Sequence, residues 1–338
     1  MTHLSRGTFF LAGHIATNRN AEQNGWVGPA RGTASCGRPR QSLTRWTLCA
    51  LLGVAWAASG VATSSELPPL VQPPTQDHYV GKVVWADLIT PDLESAKRFY
   101  AGLFGWTFRD VVAGDKEFVV ALLEGRPVAG LVQRPVPTGK RRRPAWLTFI
   151  AVRDVGEADR TALAHGGKVL SPPRDYPERG RQAILADPQG AVFAVLQSGS
   201  GDPPDVLVPP GDWIWSSLIT LDPNAGAAFY QALFGYEVFE LPSDDGREHL
   251  LLAADGYARA TANSPPANAP KLHSHWLNFV RVVNTADASR KAVALGGRVL
   301  VEPHPDRHGG MTAVVADPSG APFGLLEWSD SEGKEVGQ

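Results

Sequence analysis

One offset governs this chain. Trp85, Asp92, Tyr100 and Gly105 return as Trp215, Asp222, Tyr230 and Gly235, each 130 residues later. Trp146, Gly166, Asp187 and Gly190 return as Trp276, Gly296, Asp317 and Gly320 at the same spacing of 130 residues. LITPD…FYAGLFGW answers LITLD…FYQALFGY, and DPQGAVFAVLQ answers DPSGAPFGLLE. A period this strict means that one structural unit occurs twice, so the fold needs explaining only once. The copies fall at residues 80–198 and 211–329, joined by the Pro/Gly-rich segment 199–210.

Each copy in turn reads as two similar halves. Residues 83–90 have the β-branched and aromatic content of a strand. Asp92 is placed to cap a helix in which Ala96, Phe99, Tyr100, Leu103 and Phe104 form one apolar stripe. In the second copy Asp222 takes the cap, Pro223 the first turn, and Phe229, Tyr230, Leu233 and Phe234 the stripe. Gly105 and Gly235 end these helices. Three strands are predicted next, at 106–112, 117–123 and 127–133. The second half repeats the order with a strand at 146–152, a helix ending at Gly166-Gly167, and strands near 167–171, 181–186 and 191–197. The expected architecture is α+β, with two βαβββ modules per domain.

With its two copies of W-x-D/S-L-I-T-x-D…FY…LFGW/Y followed by W-L-x-F…GG-x-V-L…DP-x-G-A, the chain resembles the vicinal oxygen chelate superfamily. That group holds glyoxalase I, bleomycin-resistance proteins and extradiol dioxygenases. The resemblance covers nearly all of residues 80–329. It implies paired modules forming a curved mixed sheet, a cup that, in the metalloenzymes, holds one divalent ion through His, Gln and Glu from the first and last strands. Carried onto this chain, the first-strand positions are Trp85, Trp146, Trp215 and Trp276, and the last-strand positions are Ala194 and Gly324. Indole offers a metal no lone pair, and Ala and Gly have no ligating side chain. No metal and no other cofactor is therefore expected, a displaced divalent ion being the alternative. His273 with His275, and His304 with His308, are the only histidine pairs spaced to rebuild a site, and prolines deny the second pair a helix.

Strand alternation suggests what lines the cups instead. If Trp85 faces inward, so does Asp87. The same parity selects Thr148 with Trp146, Ser217 with Trp215, and Asn278 with Trp276. Each module then offers an indole wall and a small polar or acidic group, the make-up of a small-molecule site. Asp87 is the one general-base candidate, since an acid in an apolar cup needs a partner or a raised pKa. Tyr100 and Tyr230 lie on apolar helix stripes and read as core. The leading expectation is a protein that binds or sequesters a small organic molecule. The rivals are a lyase- or dioxygenase-type enzyme with a divergent site, and an interaction module whose cups are filled by tryptophan.

A formal net charge of −2 argues against nucleic acid as a partner. The run Lys140-Arg141-Arg142-Arg143 reads as a solvated loop tip. Both cysteines, Cys36 and Cys49, precede the repeats, which excludes thiol chemistry and cysteine-based zinc from them. Residues 1–42 lack apolar periodicity and read as a disordered or mis-started extension. Residues 43–62 look like a secretory signal: Arg45, the apolar run 46–58, then small residues suited to cleavage after Ala62. That run is short for a membrane span, which needs about 20 residues. The expected location is secreted or periplasmic, with an uncleaved membrane anchor or a cytoplasmic protein as alternatives. Residues 63–79 read as a Pro-rich linker and 330–338 as a tail, and the two domains are expected to pack together.

Overall fold

The computed structural model describes residues 67–328 except 114–115, 136–143, 244–245, 266–272 and 307–309. The signal-like segment, the basic run 140–143, His308 and the tail lie outside the described residues. In the first copy the elements are β1 (Val83–Thr90), α1 (Leu93–Phe104), β2 (Thr107–Ala113), β3 (Lys116–Leu123) and β4 (Arg126–Gln133), then β5 (Ala145–Ala151), α2 (Val155–Ala164), β6 (Lys168–Tyr176), β7 (Gly180–Ala186) and β8 (Val192–Ser198). The second copy holds β9 (Trp213–Ile219), α3 (Pro223–Phe234), β10 (Glu237–Glu240), β11 (His249–Ala254) and β12 (Tyr257–Asn263), then β13 (His275–Val282), α4 (Thr285–Ala294), β14 (Arg298–Pro305), β15 (Met311–Ala316) and β16 (Pro322–Glu327). Asp92 and Asp222 cap α1 and α3 by accepting from the backbone N–H of Ser95 and Ala225. Asp154 and Asn284 cap α2 and α4 in the same way.

Each copy forms one eight-stranded mixed sheet, ordered β2-β3-β4-β1-β5-β8-β7-β6 and β10-β11-β12-β9-β13-β16-β15-β14. The two modules of a copy meet where β1 runs antiparallel to β5, or β9 to β13. Strand β6 runs further than expected, to Tyr176, because Pro172 and Pro173 sit on an edge strand whose irregular register spares it the missing N–H groups. Among the described residues no helix is long and apolar enough to cross a membrane.

The two copies share their cores. One cluster joins Leu88, Phe99, Tyr100 and Trp146 of the first copy to Val280, Val315 and Phe323 of the second. The other joins Ile150 and Phe193 to Phe229, Tyr230 and Trp276. Two reciprocal polar ties run through them. Trp146 Nε1–H donates to the Tyr100 hydroxyl at 3.0 Å, which donates to the Asp317 carboxylate of the other copy at 3.2 Å. Trp276, Tyr230 and Asp187 repeat the chain at 2.9 and 3.2 Å. Asp187 and Asp317 also accept the N–H groups of their own DPxG turns, through Ala191 and Ala321 among others. The FY and DPxG motifs therefore recur together because each tyrosine closes on the turn of the opposite copy.

Candidate functional site

Register decides which side chains share a face. In β1 and β5 the opposed pairs are Trp85 with Phe149, Ala86 with Thr148, Asp87 with Leu147, and Leu88 with Trp146. Opposed residues in a sheet point the same way. Trp85 and Asp87 thus stand with Leu147 and Phe149 on the face away from the helices, the cup face, while Trp146 and Thr148 point toward the helices. The second copy repeats this: Trp215 is opposite Phe279 and Ser217 opposite Leu277, whereas Trp276 and Asn278 are opposite Leu218 and Ser216.

Four of the eight expected site residues therefore do not line a cup. Trp146 and Trp276 carry the ties to Tyr100 and Tyr230 inside the shared cores. Thr148 and Asn278, equivalent residues of the two copies, meet each other, with the Thr148 hydroxyl donating to Asn278 Oδ1 at 3.0 Å. The Ser216 hydroxyl donates to the same oxygen at 2.8 Å. This seam of repeat-related residues joins the two sheets. The expected parity failed because β5 pairs with β1 one residue out of step with the tryptophans, so the indoles of one copy occupy opposite faces.

The first cup face is closed and charged. Trp85 and Asp87 are both buried, and Trp85 Nε1–H donates to Asp87 Oδ1 at 2.7 Å. Arg179, from the turn between β6 and β7, lays its guanidinium 4.0 Å from the centre of the Trp85 ring. Burial pushes the Asp87 carboxyl up to about 6, against the opposing pulls of Arg179 and the indole hydrogen bond. Burial likewise brings Arg179 down to about 10, so it stays protonated at neutral pH. The carboxylate occupies space left by Gly130 on the neighbouring strand, where a Cβ would come within 2.1 Å of Asp87 Oδ1. Leu67 and Leu70, from the segment expected to be a linker, pack into the same cluster as Trp85, Phe118, Phe149 and Leu196.

The second cup face is more open. Trp215, Leu251 and Phe279 are half-buried there. Thr261 stands where the first copy has Gly130, and it fills the space that Asp87 takes there by hydrogen bonding Ser217 at 2.8 Å. Thr261 Oγ1 also accepts from Trp215 Nε1 at 3.4 Å and from Asn263 Nδ2 at 3.0 Å. Asn263 Oδ1 in turn lies 2.9 Å from His249 Nδ1. The result is an aromatic surface crossed by a row of hydroxyl, amide and imidazole groups. His275 sits at the rim with its pKa lowered by burial, and His273 beside it is exposed. Asn263 and Ile219 separate His249 from His275 in the sheet, a span of about 14 Å at the usual strand spacing.

The positions that would ligate a divalent ion do not fit one. On β5 and β13 the cup-facing residues are Leu147, Phe149, Leu277 and Phe279, which have no donor atoms. Ala194 lies beside Phe149, and Gly324 beside Phe279. At Gly324 a Cβ would fall 2.0 Å from the Phe279 ring, so the phenyl group fills the space a glutamate would need. Among the described residues no three His, Cys, Asp or Glu side chains converge as a metal site. Glu327, the nearest acid to Gly324 on the last strand, instead accepts the Thr285 N–H at the start of α4. A groove of about 480 Å³ between α2 and α3 shares no lining residue with either cup.

Residues 76–195 match the family model of the glyoxalase/bleomycin resistance protein/dioxygenase superfamily, and residues 217–326 match that of a glyoxalase-like domain. A relative from Mycobacterium tuberculosis, which bears the name glyoxylase CFP32, is 32% identical over 257 residues, covering 75% of this chain and 98% of its own length. The chain belongs to this superfamily. The anthracycline biosynthesis protein DnrV of Streptomyces peucetius is 31% identical over 265 residues, covering 73% of this chain and 93% of its own. Among solved structures, the Mn(II)-bound glyoxalase from Novosphingobium aromaticivorans superposes with a TM-score of 0.53 at 15% identity, covering 74% of this chain and 83% of that one. The 2,3-dioxygenase LapB from Pseudomonas sp. KL28 gives 0.53 at 14% identity, with 75% and 94% covered. At these identities the structures share the fold alone.

Proposed function

We propose that this tandem glyoxalase-like protein binds a small, flat organic molecule on the cup face of its second copy and holds it without a divalent metal. The observation that carries this reading is the half-buried pair Trp215 and Phe279 beside the Ser217–Thr261–Asn263 row. Aromatic walls with a few placed hydrogen-bonding groups suit a planar ligand carrying hydroxyl or carbonyl groups. The name of the Streptomyces peucetius relative points to the same ligand class, since anthracyclines are flat, oxygenated aromatics. The side chains at the family's ligand positions support holding the molecule over metal-assisted turnover. Export fits a folded part free of cysteine, and peptide sequencing of the secreted protein from residue 63 onward tests that separately.

Titration of tryptophan fluorescence with daunorubicin tests the reading. Binding in the micromolar range is expected. Trp215→Ala should weaken it about tenfold, the loss of one stacking partner. Absence of quenching across a panel of planar aromatics, or an unchanged affinity in Trp215→Ala, would refute it. A second reading, a lyase-type enzyme, rests on Asp87 as a general base with a pKa of about 6. It requires turnover of a hemithioacetal or related substrate that Asp87→Asn abolishes.

A further inference from the structure

The first cup is filled by the chain itself, and the way it is filled describes what else fits. Leu67 and Leu70 are only 7% and 6% exposed, seated against Trp85, Phe118 and Phe149. The segment is held by few bonds. The backbone N–H groups of Leu70 and Val71 donate to Ser200 Oγ at 2.9 and 3.2 Å, and Arg179 Nε donates to the Pro68 carbonyl at 2.8 Å. Residues 67–71 form no part of either sheet.

Arg179 is the informative group. It is 2% exposed, stacked on Trp85, and its Nη2 is buried without a hydrogen-bond partner among the described residues. Nε and Nη2 form one edge of the planar guanidinium, a pair of parallel donors that matches the two oxygens of a carboxylate. A single peptide carbonyl uses half of that edge. A buried guanidinium donor left unpaired is costly, so the edge is better matched by a two-oxygen acceptor than by Pro68.

We propose that the first cup is a binding site for an apolar carboxylate. Its carboxylate closes on the Nε/Nη2 edge of Arg179, its body takes the space of Leu67 and Leu70, and residues 67–71 are an internal stand-in that the ligand displaces. Asp87 faces the same cup and accepts from the Trp85 indole, leaving both guanidinium edge donors to the ligand. This site is separate from the aromatic surface of the second copy and does not depend on a ligand binding there.

Calorimetric titration of the full chain with 1-naphthylacetate, and with the neutral 1-naphthylacetamide, tests the proposal. In the double variant Leu67→Ser/Leu70→Ser, the carboxylate should bind about tenfold tighter than to the unaltered chain, because its competitor is weakened. Adding Arg179→Gln should then cost the carboxylate about tenfold or more and leave the amide nearly unchanged. Equal affinity for acid and amide, or indifference of the acid to Arg179→Gln, overturns the proposal. Loss of carboxylate binding on Trp215→Ala also overturns it, by placing the ligand in the other cup. Should the double variant fail to fold, hydrogen exchange on the unaltered chain decides. Saturating 1-naphthylacetate must speed exchange at the Leu70 and Val71 amides, and unchanged exchange there refutes displacement.

Discussion

Replacing Asp87 with Asn removes one buried ionisation and leaves the shape of the side chain nearly intact. Burial holds this carboxyl at about 6 against an ordinary value of 3.8. Each pKa unit corresponds to 1.36 kcal/mol, so the gap of about 2.2 amounts to roughly 3 kcal/mol. The sign follows from who holds the proton. Below about pH 4 folded and unfolded chains are both protonated at this site, and the burial of a charge costs nothing. Between pH 4 and pH 6 the unfolded chain gives up its proton while the folded chain keeps it, so folding loses stability as pH rises. Above pH 6 both are ionised and the loss is complete. Urea unfolding of the native chain and of Asp87→Asn, at pH steps from 3.5 to 7.5, isolates this site because other groups cancel in the difference. The native chain should fall by roughly 3 kcal/mol relative to the variant over that range. A flat difference would show that Arg179 and the Trp85 indole fully offset burial. A difference that grows in favour of the native chain with rising pH would show that the ion pair outweighs burial, and would refute the opposite ordering of the two forces.

The shared cores predict that both copies unfold in one calorimetric transition, since neither sheet can lose its partner and keep its apolar face covered. Tyr100→Phe and Tyr230→Phe each strand a buried indole N–H and remove the hydroxyl donor to one oxygen of a buried aspartate, and each should cost about 1–3 kcal/mol in urea unfolding. Gly324→Ala drives a methyl group into the Phe279 ring and should destabilise by about 1–3 kcal/mol, with Phe279→Ala in the same chain recovering part of the loss. Thr148→Val removes one of the two donors to Asn278 at the seam and should cost about 1 kcal/mol, leaving 1-naphthylacetate binding unaffected.

The fold was legible because the repeat, the caps and the helix stripes all pointed to one module. Asp92, Asp222, Tyr100 and Tyr230 stand where their spacing placed them. The cups were half legible. Trp85 with Asp87, and Trp215 with Ser217, share a face as alternation requires. In β5 and β13 alternation gave no warning, since Trp146, Leu147, Thr148 and Phe149 present apolar groups to both sides of a sheet covered on both. The 130-residue repeat relates Trp146 to Trp276, and it carries no information on how either relates to Trp85 or Trp215. Arg179 sits in a turn outside every motif, and its part in the site depends on contacts with Trp85 and Pro68 that are distant in sequence. The segment 63–79 reads as a linker from its prolines, and the apolar Leu67 and Leu70, three apart, are its one sign of burial.

Metal content is the most direct test of the central proposal, that this chain holds its ligand without a divalent ion, with tryptophan, alanine and glycine at the positions where the superfamily resemblance implies metal ligands. Plasma mass spectrometry of the purified chain, after exposure to manganese, iron, nickel and zinc and then dialysis, should find each far below one equivalent per chain. Retention of any of them near one equivalent, lost on substitution of a cup residue, would contradict it.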